Sequence, residues 1–361
     1  MKQKLFSQIG IVVLALLMVF SFAACGGGGD GGGSDEPAAD PGSDAQTPPT
    51  DPITISYASN DAPGSLRYDL LEQKFADLMA EKTGGRITVE IYPSGSLSKP
   101  GECLDAIKNG TVDSGMDSYT RYAGQYPYFE LLTAPGWRFD TFEDFNAAAN
   151  EYIQEFPDAT TENYKVIVMC DAGQFGLVST KPLRTIADIK GMSIRNTPQF
   201  IPLFDKLGAS SVDVSSGEMY EALRLNTIDA VNTNNHAIPV FHLDEVCKSF
   251  TAIPIEHTDF TMFMSQKLYD SFDDELKAQV DEVCEAMKQV ALDYLNATTQ
   301  DANDTVKEAN PDFEFIDLSD ADVASLAEAS QSLLESKAKA LDDAGLKGAD
   351  ALAWLQSHQS K

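Results

Sequence analysis

Two stretches decide the fold: Ala106-Ile-Lys-Asn-Gly-Thr-Val-Asp113 and Ala222-Leu-Arg-Leu-Asn-Thr-Ile-Asp229. Each reads as a helix end, then a Gly or Asn suited to a left-handed cap, then Thr-[Val/Ile]-Asp entering a strand. Three identities in eight can arise by chance, so the flanking pattern has to carry the same message. Before the first stretch, Ile53 to Tyr57 and Ile87 to Ile91 alternate with the period of a strand. Leu66, Leu70, Leu71, Phe75, Leu78 and Met79 between them have helical spacing, closed by Gly84-Gly85. Thr141 and Asp144 open a helix that runs to Phe156, and Val166 to Cys170 is an apolar run suited to a buried strand. Met192 to Arg195 is a short strand, Thr197-Pro198 starts a helix closed by Gly208, and Asp273 to Glu308 reads as one long helix or two in series. A strand Phe313 to Ile316 and two helices finish the chain. Strand and helix alternate throughout, which predicts an α/β protein with mainly parallel sheets, arranged as two related lobes around a cleft.

The 361 residues, 43% of them hydrophobic, are enough for a sizeable core and exclude a wholly disordered chain. A net charge of −30 excludes nucleic acid as a partner, since 26 basic residues among 56 acids cannot neutralise a row of phosphates. Residues 1–24 read as a secretory signal: Lys2 and Lys4 precede an apolar run from Ile9 to Phe22, too short for a stable membrane span. Ala23-Ala24-Cys25 resembles the lipobox of bacterial lipoproteins, with Phe22 where a smaller aliphatic residue is usual. Residues 25–52 then form a lipid anchor at Cys25 and a Gly/Pro/Asp-rich tether, followed by a two-lobe domain over 53–361. The domain is expected outside the cytoplasm, lipid-anchored to the plasma membrane and monomeric.

Nothing in the sequence builds a familiar catalytic centre. The chain has no G-x-S-x-G, H-E-x-x-H, P-loop or G-x-G-x-x-G after a strand. His236, His242, His257 and His358 have no metal-ligand spacing, and Asp320 to Asp322 reads as a helix N-cap rather than a calcium loop. No metal or cofactor is expected. Cys103, Cys170, Cys247 and Cys284 sit in apolar patterns as small core residues, with one or two disulfides left open. What remains is recognition chemistry. Arg195 ends a buried-looking strand, where an α/β lobe places its ligands, and can either clamp a carboxylate with two hydrogen bonds or form a structural ion pair. Tyr119, Arg121, Tyr122, Tyr126 and Tyr128 cluster after the first corner; Asn232 to Asn235 follow the second, as ligand donors and acceptors or as turn residues.

Three ordered motifs resemble the solute-binding proteins of TRAP transporters, the DctP family. They are Thr185-Ile-Ala-Asp-Ile-Lys-Gly-Met-Ser-Ile-Arg195, Glu218-Met-Tyr-Glu-Ala-Leu-Arg-Leu-Asn-Thr-Ile-Asp229, and Tyr92-Pro-Ser-Gly-Ser-Leu97 with Ala106 to Asp113. The resemblance implies a periplasmic-binding-protein-like fold of two lobes, a ligand cleft and a long hinge helix. It implies capture of a small organic acid for delivery to a TRAP membrane permease, without catalysis. Carried over by position, Arg195 is the carboxylate-binding arginine, Asn232 and Thr233 the polar pair after the second corner, Ser118 and Tyr119 the first-lobe wall, and Ser216 a second-lobe wall. Phe175 stands where many members carry another pocket arginine, and Asp229-Ala-Val-Asn232 departs from their Asp-Gly-x-Glu. Both departures favour a monocarboxylate with an apolar or aromatic body. An ABC-importer binding lipoprotein and a secreted hydrolase on a lipid tether are the alternative readings.

Overall fold

The computed structural model describes residues 52–122, 124–158 and 162–360; the signal-like segment, Cys25 and most of the tether lie outside them. Eleven strands are present among the described residues: β1 Ile53–Ala58, β2 Ile87–Tyr92, β3 Ser114–Asp117, β4 Tyr164–Asp171, β5 Phe175–Ser179, β6 Ser193–Arg195, β7 Ser210–Ser211, β8 Ala230–Asn234, β9 Ser249–Ala252, β10 Asp259–Ser265 and β11 Glu314–Asp317. They form two sheets, ordered β2-β1-β3-β10-β4 and β11-β9-β5-β8-β6-β7. Each sheet is the centre of one lobe.

The echoed corners fold alike. Gly110 and Asn226 take positive φ, 71° and 54°. Thr111 N donates to Ala106 O at 2.8 Å, and Thr227 N to Ala222 O at 2.9 Å. The aspartates that close the two stretches also match in role. Asp113 Oδ2 accepts from Ser56 N of β1 at 2.9 Å, and Asp229 Oδ2 from Ser193 N of β6 at 2.8 Å. Each corner therefore ends its helix, turns the chain and fastens the neighbouring strand with the same carboxylate. The internal echo is structural.

The chain passes between the lobes four times: from β4 to β5, from β9 back to β10, along a helix Asp274–Ala309 that leads to β11, and back along a helix Asp320–Asp343. Helix Asp274–Ala309 is single, and its 36 residues span about 54 Å. Val280, Met287 and Leu295 on it pack into the core beneath the first sheet, and Val306 into the core of the second. The expectation of mainly parallel sheets is corrected. Five pairings are parallel, while β10 runs antiparallel to β3 and β4, and β5 antiparallel to β8 and β9. The physical reason is the crossing itself. A strand that leaves a lobe and the strand that returns to it run in opposite directions, and here they are neighbours in both sheets.

Other elements follow local signals. Thr141 Oγ1 accepts from Asp144 N at 3.1 Å to cap helix Phe142–Glu155. Leu66 is the exception in the first helical pattern: it opens the helix together with Arg67 but is 41% exposed. Cys103, Cys170 and Cys247 are buried and Cys284 half-buried, all free thiols. Helix Asp320–Asp343, which precedes the last helix Gly348–His358, joins both lobes: Leu326 packs with Leu203 and Ile255, while Leu334 and Leu341 pack with the first lobe's aromatic core.

Candidate functional site

Between the sheets lies a cleft of about 560 Å³. Ser118, Tyr119 and Phe129 face it from the first lobe, Phe175 and Phe260 from beside the crossovers, and Arg195, Ser216 and Asn234 from the second lobe. Arg195 is placed by the end of β6, which pairs in parallel with β8 at Arg195↔Val231. Its Nε donates to Val214 O at 3.2 Å and its Nη1 to Asn232 O at 3.5 Å. Both acceptors are backbone carbonyls. No carboxylate among the described residues lies within ion-pair distance of this guanidinium. Burial pushes its pKa down, and only the charge of Asp213 opposes that.

The other cations at the cleft are already committed. Arg121 Nε lies 3.3 Å from Asp117 Oδ1, and Lys337 Nζ lies 3.5 Å from Glu130 Oε2. Lys337 comes from helix Asp320–Asp343, and no local pattern marks it as a site residue. Asp259, at the head of β10, accepts from Ser118 Oγ at 2.7 Å, Tyr119 N at 3.2 Å and Thr261 Oγ1 at 2.5 Å. A lone acid opening an apolar strand is a signal the sequence did carry for this position.

Five of the residues expected at the site line the cleft: Arg195, Ser118, Tyr119, Phe175 and Ser216. The ring centroid of Tyr119 lies 4.4 Å from that of Phe129 and 5.1 Å from that of Phe263, and its buried hydroxyl has no partner among the described residues. Asn232 and Thr233 are not among the lining residues. The side chain of Asn232 is fully buried and donates from Nδ2 to Glu256 Oε2 at 2.6 Å. Alternation along β8 sends Thr233 to the face opposite Asn232 and Asn234. Asn234, two residues on, reaches the cleft instead and donates to Ala172 O at 3.1 Å.

Burial also sets the state of several acids. It pushes Glu72 up to about 7, Asp259 to about 7 and Glu256 to about 8. Their ordinary values are near 4, so between about pH 4 and 8 each holds more proton folded than unfolded. Their stabilisation is complete below about pH 4 and is lost as pH rises through 7 to 8. Self-repulsion of a strongly acidic chain acts in the same direction. The thermal midpoint should therefore fall by a few degrees or more between about pH 5.5 and pH 8.5. A midpoint that rises across this window would contradict the burial of these carboxyls.

Among the described residues, no group of three His, Cys, Asp or Glu side chains could hold a metal ion. No helix there is long and apolar enough to cross a membrane. Residues 57–340 match the family model for DctP, described as bacterial extracellular solute-binding protein, family 7. The chain belongs to this family.

Solved structures of the family share the fold. A TRAP periplasmic solute-binding protein from Desulfovibrio salexigens superposes with a TM-score of 0.78 at 19% identity, covering 86% of this chain and 96% of its own. A TRAP solute-binding protein from Rhodoferax ferrireducens, in complex with copurified benzoate, gives 0.73 at 19% identity over 85% and 97%. The 2,3-diketo-L-gulonate-binding periplasmic protein YiaO of Escherichia coli is 28% identical over 162 residues, 44% of this chain. That match spans 49% of the relative, about half its length. A solute-binding fold of the DctP type, two lobes and a cleft, is thus the framework in which the residues above act.

Proposed function

We propose that this DctP-family protein captures a small organic monocarboxylate with an apolar or aromatic body, and that Arg195 holds the carboxylate. One observation carries the reading. Arg195 is the cleft cation without an acidic partner among the described residues, whereas Arg121 and Lys337 each have one. A single uncommitted guanidinium suits a single carboxylate, bound through two parallel hydrogen bonds. Phe129, Phe175, Phe260 and Pro198 supply apolar walls for the rest of the ligand. The benzoate in the Rhodoferax neighbour is consistent with an acid of this size and polarity. The loaded protein then docks on a TRAP membrane permease.

A thermal-shift screen of organic acids, each beside its neutral amide, tests the reading. Benzoate and similar acids should raise the midpoint while the amides do not. An acid at 100 times its Kd stabilises by about 2.7 kcal/mol. Uniform failure of monocarboxylates, with amides or sugars stabilising instead, would overturn it. The crossings between the lobes also imply lobes that close about a hinge. Small-angle scattering with a saturating acid from the screen should show a smaller radius of gyration; an unchanged radius would mean a rigid cleft.

The anchor is part of the same proposal. Cys25 carries acyl chains that hold an acidic domain at the membrane surface, outside the cytoplasm, once residues 1–24 are removed. Ala23-Ala24 before the cysteine and the glycine tether after it support this. Cys25→Ala should move the protein from the membrane fraction into the medium or periplasm on cell fractionation. Membrane retention equal to wild type would exclude the lipid anchor.

A further inference from the structure

Glu256 is a buried acid that the binding reading does not use. It lies in the return crossover between β9 and β10 and is 2% exposed. Asn232 Nδ2 donates to its Oε2 at 2.6 Å, and its Oε1 has no partner among the described residues. Burial pushes it up to about 8, with the Asn232 bond pulling the other way, so near neutral pH the carboxyl holds its proton. An acid in such a place is costly where a leucine of similar size could pack. Its one bond leads straight to the cleft. Asn232 sits on β8, and its backbone carbonyl accepts from Arg195 Nη1 at 3.5 Å. β8 is also the strand against which β6 lays Arg195. Hydrogen bonds thus run from the crossover, through one asparagine, to the guanidinium.

We propose that Glu256 is a positioning residue for Arg195. Its bond to the Asn232 amide fixes the part of β8 whose carbonyl holds the guanidinium, and so ties the crossover strand to the ligand-binding end of β6. The two bonds differ in kind. The 2.6 Å bond is short and buried, whereas the 3.5 Å bond is long and depends on where β8 is held. Without the acceptor, the Asn232 amide becomes a buried donor with nothing to bond, and β8 must shift or admit water to satisfy it. Glutamine at 256 keeps an acceptor oxygen at the same reach, while leucine keeps the volume and removes the bond.

The effect on acid affinity rests on the function proposed for Arg195; the bond itself does not, and the experiment separates them. The seven arginine Nε–H groups are resolved by ¹⁵N NMR, with the Arg195 signal assigned by its loss in Arg195→Lys. Glu256→Leu should move that signal, Glu256→Gln should leave it in place, and Asn232→Ala should move it as Glu256→Leu does. The double variant Asn232→Ala/Glu256→Leu should move it no further, since both changes break one link. Benzoate affinity should fall about 2- to 30-fold in Glu256→Leu and recover in Glu256→Gln. An Arg195 signal unmoved in Glu256→Leu, or moved equally by leucine and glutamine, overturns the proposal. If Glu256→Leu does not fold, Asn232→Ala asks the same question from the other end, and an unmoved signal there overturns it too. Benzoate binding that is indifferent to Arg195→Ala would instead remove the carboxylate reading, whatever the NMR shows.

Discussion

Replacing Arg195 with alanine is expected to weaken binding of the best acid from the screen by a factor on the order of 30 to several thousand. Truncating one partner of a desolvated charge pair costs roughly 2–5 kcal/mol. Arg195 is half-buried in the open cleft, and lobe closure would exclude the remaining water. No acid among the described residues pairs with it, so the ligand's carboxylate meets a guanidinium held in place by two backbone carbonyls. Arg195→Lys should also weaken binding, since an ammonium keeps the charge but loses the planar fork. Arg138→Ala is the comparison. Its Nε lies 2.9 Å from Asp140 Oδ1 at the surface and it does not line the cleft, so little change is expected. Calorimetric titration decides, after each variant is shown to be folded. Equal affinity for wild type and Arg195→Ala would remove the clamp, and with it the argument for an acid.

Gly176→Ala is expected to lower the thermal midpoint by several degrees, or to prevent folding. A Cβ at 176 would stand 2.2 Å from Thr251 O, 2.9 Å from Phe250 Cζ and 3.0 Å from Ala252 Cα. Two of those atoms are backbone of β9, which cannot rotate away. Gly176 faces Ala252 on one side and Thr233 on the other, so β5 is flanked by paired strands. Forcing β5 and β9 apart is an overpacking error of typically 1–3 kcal/mol, occasionally more. It also strikes the two strands that lead into and out of the crossovers, so lobe closure should suffer with stability. Gly217→Ala is the control, because nothing lies within 4 Å of the added Cβ and its φ is not positive. That variant should melt within a degree or two of wild type. A Gly176→Ala protein as stable as Gly217→Ala would show that the sheet can widen at β9.

Much of the molecule was legible from local pattern. The two Thr-[Val/Ile]-Asp corners, the Thr141 cap, the long helix from Asp273 and the strand-end position of Arg195 all depend on residues within a few places of one another. Interactions of that range are set by chain chemistry: a left-handed cap at Gly110 or Asn226, a hydroxyl reaching an amide three residues on, side chains recurring with the helical period. Ser118, Phe175 and Ser216 were expected at the cleft from resemblance to the family rather than from such signals, and they line it. Local signals could not show that the sheets are mixed, because strand direction depends on which strands become neighbours once the chain crosses between lobes. They could not bring Lys337 to Glu130, nor Asp259 beneath Ser118, since each pair joins segments far apart along the chain. The clearest case is Asn232. Its type and position matched a ligand contact, yet a buried carboxyl 24 residues away takes its amide. A buried polar side chain bonds whatever partner packing brings within reach, and only the assembled lobes decide which partner that is.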